Sequence, residues 1–187
     1  MASIKTPICD FGWQAPNFSL KGVDGKIYSL ENICGKNGTV IMFICNHCPY
    51  VKAILDRLVR DIKELQKIGI GAIAIMSNDP TDYPEDSFEN MKVISKVNNF
   101  SFPYVIDPTQ EIAKAYEAVC TPDFFGLDKN NCLQYRGRLD ASNKEPGPSN
   151  ARRELFEAMT EIAKSGNGPV NQISSIGCSI KWIAENS

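Results

Sequence analysis

The chain has 187 residues, 43% of them apolar and 22% charged, which excludes a disordered or fibrous chain and suits one domain, 1–187, with its own core. Twenty basic against twenty-two acidic residues leave a net charge of −2, and no basic cluster exceeds the pair Arg152-Arg153, so no nucleic-acid partner is expected. No segment reaches the roughly 18 apolar residues of a membrane span, and Met1 to Asp10 carries no signal-type apolar run; the expectation is a cytoplasmic protein without a membrane partner.

The first predicted element is an N-terminal β-hairpin, about 15–31. In it, Asn17-Phe18-Ser19-Leu20 and Lys26-Ile27-Tyr28-Ser29-Leu30 alternate around Asp24-Gly25, a dipeptide suited to positive φ. Thr39 to Ile44 is apolar on both faces, as a central strand covered by helices must be. From Pro49, apolar residues from Val51 to Leu65 recur at helical spacing, leaving Lys52, Arg57, Arg60, Asp61 and Glu64 toward water, until Gly69 ends the helix. Ile70 to Met76 is a second buried strand, so the two strands and the helix form a crossover unit.

Asp82 with Glu85 reads as a capping box for a helix over 82–98. Phe102 to Ile106 reads as a strand, and Asp107-Pro108-Thr109-Gln110 as the start of a short helix ending near Ala118. Asp123 to Leu127 and Leu133 to Arg138 form a hairpin around a polar turn. This closes a core of about 38–140. A loop from Ala141 to Asn150 leads to a C-terminal helix and tail, about 150–187, the helix running from Ala151 to Lys164 and the tail carrying Cys178 and Trp182.

Cys45-Asn46-His47-Cys48 follows the first central strand. Two thiols at that spacing close a small disulfide ring and reopen it, which is thiol-disulfide chemistry. Seven cysteines is an odd number, and without an export signal a disulfide scaffold explains them poorly. Placed at a helix start, Cys45 is expected to face unpaired N–H groups and act as nucleophile, with Cys48 deeper, at a higher pKa, as the resolving thiol. His47, the only histidine, is expected to tune the pair. Structural zinc lacks a second close cysteine pair, and an inert buried pair is the blander alternative. A copper chaperone or metal-binding adaptor lacks a second histidine to complete its site, so no metal and no bound cofactor are expected.

The order of strand, Cys-x-x-Cys, crossover, and Thr-Pro before an antiparallel hairpin resembles the thioredoxin superfamily over nearly the whole chain. Ala15-Pro16-Asn17-Phe18 with Asp24-Gly25-Lys26 resembles the N-terminal hairpin of the alkyl hydroperoxide reductase and thiol-specific antioxidant branch. Cys45 to Val51, Tyr83-Pro84-Glu85-Asp86-Ser87, Cys120 to Phe125, Tyr135-Arg136-Gly137-Arg138 and Gly177 to Trp182 resemble a peroxiredoxin-like family of bacterial thioredoxin-fold proteins.

The resemblance implies an α/β, thioredoxin-like fold: a central mixed sheet flanked by helices. It also implies a cis Thr121-Pro122 peptide facing the cysteines, where extended substrates bind through backbone groups; on the residues alone, Pro122 reads equally as a turn proline. Cys120 and Cys178 then become candidate auxiliary thiols, as a second relay or as plain structural cysteines. The activity implied is a thiol-disulfide oxidoreductase acting on protein or small-molecule disulfides, monomeric or homodimeric, with thioredoxin or glutathione as electron donor. The alternative is a thiol-dependent, antioxidant peroxidase acting on hydroperoxides. The peroxiredoxin Pro-x-x-x-Thr-x-x-Cys loop is missing, however, and its arginine before the late hairpin is replaced by Thr121 or Pro122. Arg136 and Arg138 read as solvated strand residues.

Overall fold

The computed structural model describes residues 3–184; the last residues of the predicted tail, 185–187, lie outside them. In chain order the elements are β1 (Ser3–Lys5), β2 (Leu20–Gly22), β3 (Ile27–Tyr28), α1 (Leu30–Ile33), β4 (Gly38–Phe43), α2 (Pro49–Lys67) and β5 (Ile70–Met76). A 3-10 turn (Pro84–Asp86), α3 (Phe88–Val97), β6 (Tyr104–Ile106), α4 (Glu111–Ala115), β7 (Cys120–Thr121), β8 (Asp123–Leu127), β9 (Leu133–Tyr135), α5 (Glu154–Ser165) and β10 (Ile176–Ser179) complete the chain.

The main sheet runs β3-β2-β6-β5-β4-β8-β9. β4, β5 and β6 are parallel neighbours, while β2 and β8 pair antiparallel to β6 and β4. Every residue of β4 is buried, because its alternating side chains feed two cores. Val40 and Met42 pack with Ile54, Leu58 and Ile62 of α2 and Met159 of α5. Ile41 and Phe43 pack on the opposite face with Ile73, Phe125 and Tyr116. Each such fully buried aliphatic or aromatic side chain contributes about 1.5–3 kcal/mol, so the middle of the sheet is the rigid platform from which the chain after Phe43 projects.

The hairpin forms as expected, with Leu20 opposite Tyr28 and Gly25 at φ 84°. It is shorter than the pattern implied, since Ser29 leaves the strand to cap α1 in a reciprocal pair with Asn32. The helix expected over 82–98 begins only at Phe88. Ser87 is its cap, accepting from the Asn90 N–H, and Asp86 is withdrawn into the interior instead of serving a first turn. α4 likewise starts after Gln110, whose left-handed φ of 63° interrupts the chain, although Asp107 still accepts from the Ile112 and Ala113 N–H groups. Asp61 is not on the water side: it is buried and binds Arg60 and Arg153, the latter joining α2 to the segment before α5.

A second sheet, in the order β1-β10-β7, was not legible as strands. Its members are short, and each finds its partner only across the fold: Ser3, Ile4 and Lys5 lie opposite Cys178, Gly177 and Ile176, and Cys178 and Ser179 lie opposite Thr121 and Cys120. The C-terminal segment is thereby laid along β7, immediately before Pro122.

Candidate active site

α2 starts one residue after the Cys-x-x-Cys, and the reason is Pro49. Proline at the first helical position lacks the N–H that would be unpaired anyway, and it pushes the preceding residue out of the helical region. Cys48 accordingly sits at φ −64°, ψ 123°, as the helix N-cap. Residues 45–48 therefore form a bent connection between β4 and α2, and the expectation that Cys45 occupies the first turn is corrected: Cys48 stands at the helix end. Both sulfur-bearing residues are buried, Cys45 at 2% exposure and Cys48 at 0%.

The Thr121-Pro122 peptide is cis, and Thr121 addresses both thiols. Its hydroxyl lies 3.3 Å from the Cys45 Sγ. Its carbonyl lies 3.1 Å from the Cys48 Sγ and accepts from it while Cys48 is protonated. The residue flagged in the sequence for its backbone thus also contributes a side chain to the cysteine pair.

His47 is buried, stacked on Tyr83 with ring centroids 4.3 Å apart. Its Nδ1 lies 3.8 Å from the Cys45 Sγ and 2.6 Å from Asp86 Oδ2. Asp86 organises the whole connection. Its Oδ1 accepts from the Asn46 and His47 backbone N–H groups at 2.7 and 3.1 Å, and its Oδ2 also accepts from Asn78 Nδ2 at 2.9 Å. Asn46 is held further by its side-chain donation to the Glu85 carbonyl and by the Tyr104 hydroxyl. A fully buried carboxylate persists only when its lone pairs are taken, and here the takers are the cysteine loop itself.

Sequence reasoning missed Asp86 as part of the site. The only signal was its place in Tyr83-Pro84-Glu85-Asp86-Ser87, because its partners lie about forty residues away along the chain.

The two thiols ionise at widely separated pH. Cys48 is pulled down to about 5, first by the Cys45 thiol donating to it, then by the backbone N–H groups of Cys178 and Val51 and by the Cys178 thiol, against its burial. Cys45 is raised, first by burial, then by the Cys48 sulfur and the Asp86 charge, against the Thr121 hydroxyl. In the resting dithiol the order of the two thiols runs opposite to that expected, first because the Cys45 thiol donates to Cys48 and then because the Cys178 N–H and the Val51 N–H at the helix start face its sulfur.

Reduced protein titrated by its ultraviolet thiolate absorbance is expected to show one thiolate with a midpoint near 5, absent from Cys48→Ser; a first midpoint at the ordinary thiol value overturns this. Because the folded value is lowered, the charge stabilises the fold fully above the unfolded thiol's pKa. That contribution is lost as pH falls through about 5.

The other sequence candidates fall differently. Cys178 lies opposite Thr121 and in the same buried cluster as Cys45 and Cys48. Cys120 lies opposite Ser179, on the alternate face of β7, where its thiol, raised by burial, points to the Pro122 carbonyl. A direct Cys120-Cys178 relay is therefore disfavoured by strand alternation.

Arg136 is not solvated, and Arg138 is only partly so. Arg136 is buried against Asp123, the Glu117 carbonyl and the Phe125 ring, and Arg138 is bidentate on Glu154. A groove of about 460 Å³ opens beside the site, lined in part by Tyr50, Pro122, Phe124, Leu139 and Ile176. Cys45 itself borders a small apolar pocket of about 50 Å³ with Val51, Leu55 and Phe100.

Comparison with known proteins identifies the fold and the family. An uncharacterized conserved protein from Geobacillus kaustophilus has a crystal structure similar to this chain, with a TM-score of 0.92 at 43% identity over 98% of each chain. A putative protein disulfide isomerase from Bacteroides thetaiotaomicron shares the thioredoxin-like fold, with a TM-score of 0.65 at 17% identity over 86% of this chain and 96% of that one. The thiol-disulfide oxidoreductase ResA of Bacillus thuringiensis subsp. konkukian is 30% identical over 124 residues, and the match spans 65% of either protein's length. With residues 11–136 matching its family pattern, the chain belongs to the AhpC/TSA family, within the thioredoxin-like superfamily.

Proposed function

We propose that the chain is a thiol-disulfide oxidoreductase that cycles Cys45 and Cys48 between dithiol and disulfide. The observation that carries this reading is the shared grip of Thr121 on both sulfurs, hydroxyl to Cys45 and carbonyl to Cys48, across a cis peptide. In the singly ionised pair the Cys45 thiol donates to Cys48. When a disulfide R–S–S–R′ reaches Cys45, its sulfur attacks one substrate sulfur, R′S⁻ departs, and the Cys45 proton passes to Cys48. Cys48 then attacks the Cys45 sulfur of the mixed disulfide, its proton going to the departing RS⁻. Two electrons have moved from the dithiol to the substrate, and every step reverses with an oxidised enzyme and a dithiol partner. His47, fixed between Asp86 and Cys45, tunes the charge beside the reacting sulfur.

Protein or small-molecule disulfides as substrates, thioredoxin or glutathione as donor, and a cytoplasmic setting belong to the same proposal. Among the described residues no helix is long and apolar enough to cross a membrane.

One observation favours a second reading. Cys45, His47 and Asp86 offer ligand atoms within 4.8 Å of one another, a set that a metal-binding adaptor would use. The 2.6 Å contact between His47 and Asp86 is that of a hydrogen bond; two ligands about 2.0–2.2 Å from one tetrahedral ion stand farther apart than that. A hydrogen-bonded group that tunes Cys45 fits the set better.

Equilibration with reduced and oxidised glutathione is expected to yield a Cys45-Cys48 disulfide with a defined potential, with slow consumption of hydrogen peroxide and no bound metal in protein purified under reducing conditions. Rapid peroxide turnover with dithiothreitol and no such disulfide would replace this function with that of a peroxidase.

A further inference from the structure

The resemblance to the thioredoxin superfamily implies that an extended substrate binds through the backbone before the cis proline. Here that strand edge is taken by the chain's own tail. β10 pairs antiparallel with β7, with Cys178 directly opposite Thr121. The approach is close: a Cβ on Gly177 would stand 2.1 Å from the Thr121 carbonyl oxygen, so only glycine permits it. The strand is tied on both sides, Ser175 Oγ donating to the Pro122 carbonyl and the Ile180 N–H to the Val119 carbonyl. Beyond it, the Lys181 N–H donates to Asn78 Oδ1, and Asn78 also binds Asp86. β1 covers the outer edge of β10 through Ser3, Ile4 and Lys5.

The placement of Cys178 follows from this register. Residues facing each other across an antiparallel pair point to the same side. Thr121 points its hydroxyl at Cys45 and its carbonyl at Cys48, and Cys178 shares that side, 3% exposed and packed in one buried cluster with Cys45 and Cys48. A cysteine on an added strand, presented to the Cys-x-x-Cys from beside the cis proline, occupies the place of a substrate cysteine.

We infer that Cys178 is a third redox thiol that exchanges with the Cys45-Cys48 disulfide to form a Cys48-Cys178 bond. The step needs no external oxidant. The Cys178 sulfur attacks the Cys48 sulfur, the Cys48-Cys178 bond forms as the Cys45-Cys48 bond breaks, and the Cys178 proton goes to the departing Cys45 sulfur, beside the Thr121 hydroxyl. One disulfide replaces another. The exchanged state staples β10 over the strand edge while Cys45 is returned as a free thiol, so the oxidised protein is closed to peptides that add to this edge until a dithiol reductant attacks the new bond. Burial raises the Cys178 thiol to about 11, so it brings a proton to the exchange, and the leaving Cys45 sulfur takes it.

This inference rests on the redox reading of Cys45 and Cys48, and the experiment separates their failures. Wild-type and Cys178→Ser proteins are oxidised with diamide, which takes up two electrons and two protons. They are then acid-quenched, unfolded, alkylated and mapped without reduction. Wild type is expected to give both Cys45-Cys48 and Cys48-Cys178 peptides, with alkylated Cys45 in the second population. In Cys178→Ser the second peptide and the alkylated Cys45 are both lost. Cys45→Ser, which cannot form the first bond, is expected to give Cys48-Cys178 on the same treatment. Wild type with Cys45-Cys48 alone, together with Cys45→Ser in which Cys48 and Cys178 both remain alkylatable, overturns the inference and leaves the redox reading standing. Absence of both disulfides from wild type overturns the redox reading and the inference with it. Gly177→Ala, which forces β10 away from Thr121, is expected to reduce the Cys48-Cys178 fraction while retaining Cys45-Cys48; an unchanged fraction counts against the strand register as its cause.

Discussion

Cys45→Ser and Cys48→Ser are each expected to lower turnover in thiol-disulfide exchange by at least about a thousandfold, but to leave different chemical traces. A serine oxygen is not ionised at neutral pH and cannot displace a thiol from a disulfide, so either change stops the cycle. If Cys45 makes the first attack, Cys48→Ser still forms the mixed disulfide with substrate and cannot resolve it, and the adduct accumulates on Cys45. Cys45→Ser then forms no adduct through that sulfur. Mass measurement after incubation with a disulfide substrate, followed by acid quench, distinguishes the cases. An adduct trapped on Cys48 in the Cys45→Ser protein would transfer the nucleophile's role to the sulfur with the lowered pKa. That outcome has a physical basis, because the Cys178 and Val51 N–H groups face the Cys48 sulfur even without the Cys45 thiol. Cys45 is favoured for attack because it borders a pocket and holds the small remaining exposure of the pair. Retention of near-normal turnover by both variants would remove the pair from the chemistry altogether.

The parts of this protein that sequence made legible are those with local causes. β4 and β5 are apolar runs buried on two faces, α2 is a long stretch of helical periodicity, and Asp24-Gly25 specifies a tight turn; each was placed within a few residues. Helix starts were less legible. Asp82, Asp107 and Arg153 lie in stretches where several polar residues compete for the cap, and tertiary bonds decided it. Ser87 caps α3 because Asp86 is drawn inward to the cysteine loop. In the site, Cys45, Cys48, Thr121 and Pro122 came from motif and resemblance. Asp86, Asn78 and Tyr83 did not, since their value lies in contacts with residues between eight and 103 positions away along the chain. β1 and β10 were the least visible of all: each is four residues or fewer, and each is a strand only because the other end of the chain lies beside it. The burial of Arg136 has the same origin, because a strand arginine looks solvated until its carboxylate, Asp123, is placed opposite.

The second large effect is expected at Asp86. Asp86→Ala leaves the Asn46 and His47 backbone N–H groups, the His47 ring and the Asn78 amide without their shared acceptor in a dry interior. Unmet buried donors cost about 1–3 kcal/mol each and relax in concert, so the variant should lose about 3–5 kcal/mol. For a chain of this size that is roughly a 10 °C fall in melting temperature. Asp86→Asn keeps the shape and part of the bonding, so its thermal cost should be smaller, while its redox effect isolates the charge. The Asp86 carboxylate is one of the groups that raise the Cys45 thiol; removing its charge stabilises the Cys45 thiolate and hence the reduced pair. The disulfide of Asp86→Asn should therefore be more oxidising against glutathione than that of the wild type. A melting temperature within a degree of wild type for Asp86→Ala would show that the cysteine loop does not depend on this carboxylate. A more reducing disulfide in Asp86→Asn would show instead that Asp86 acts chiefly by holding the His47 ring against Cys45 and not through its own charge.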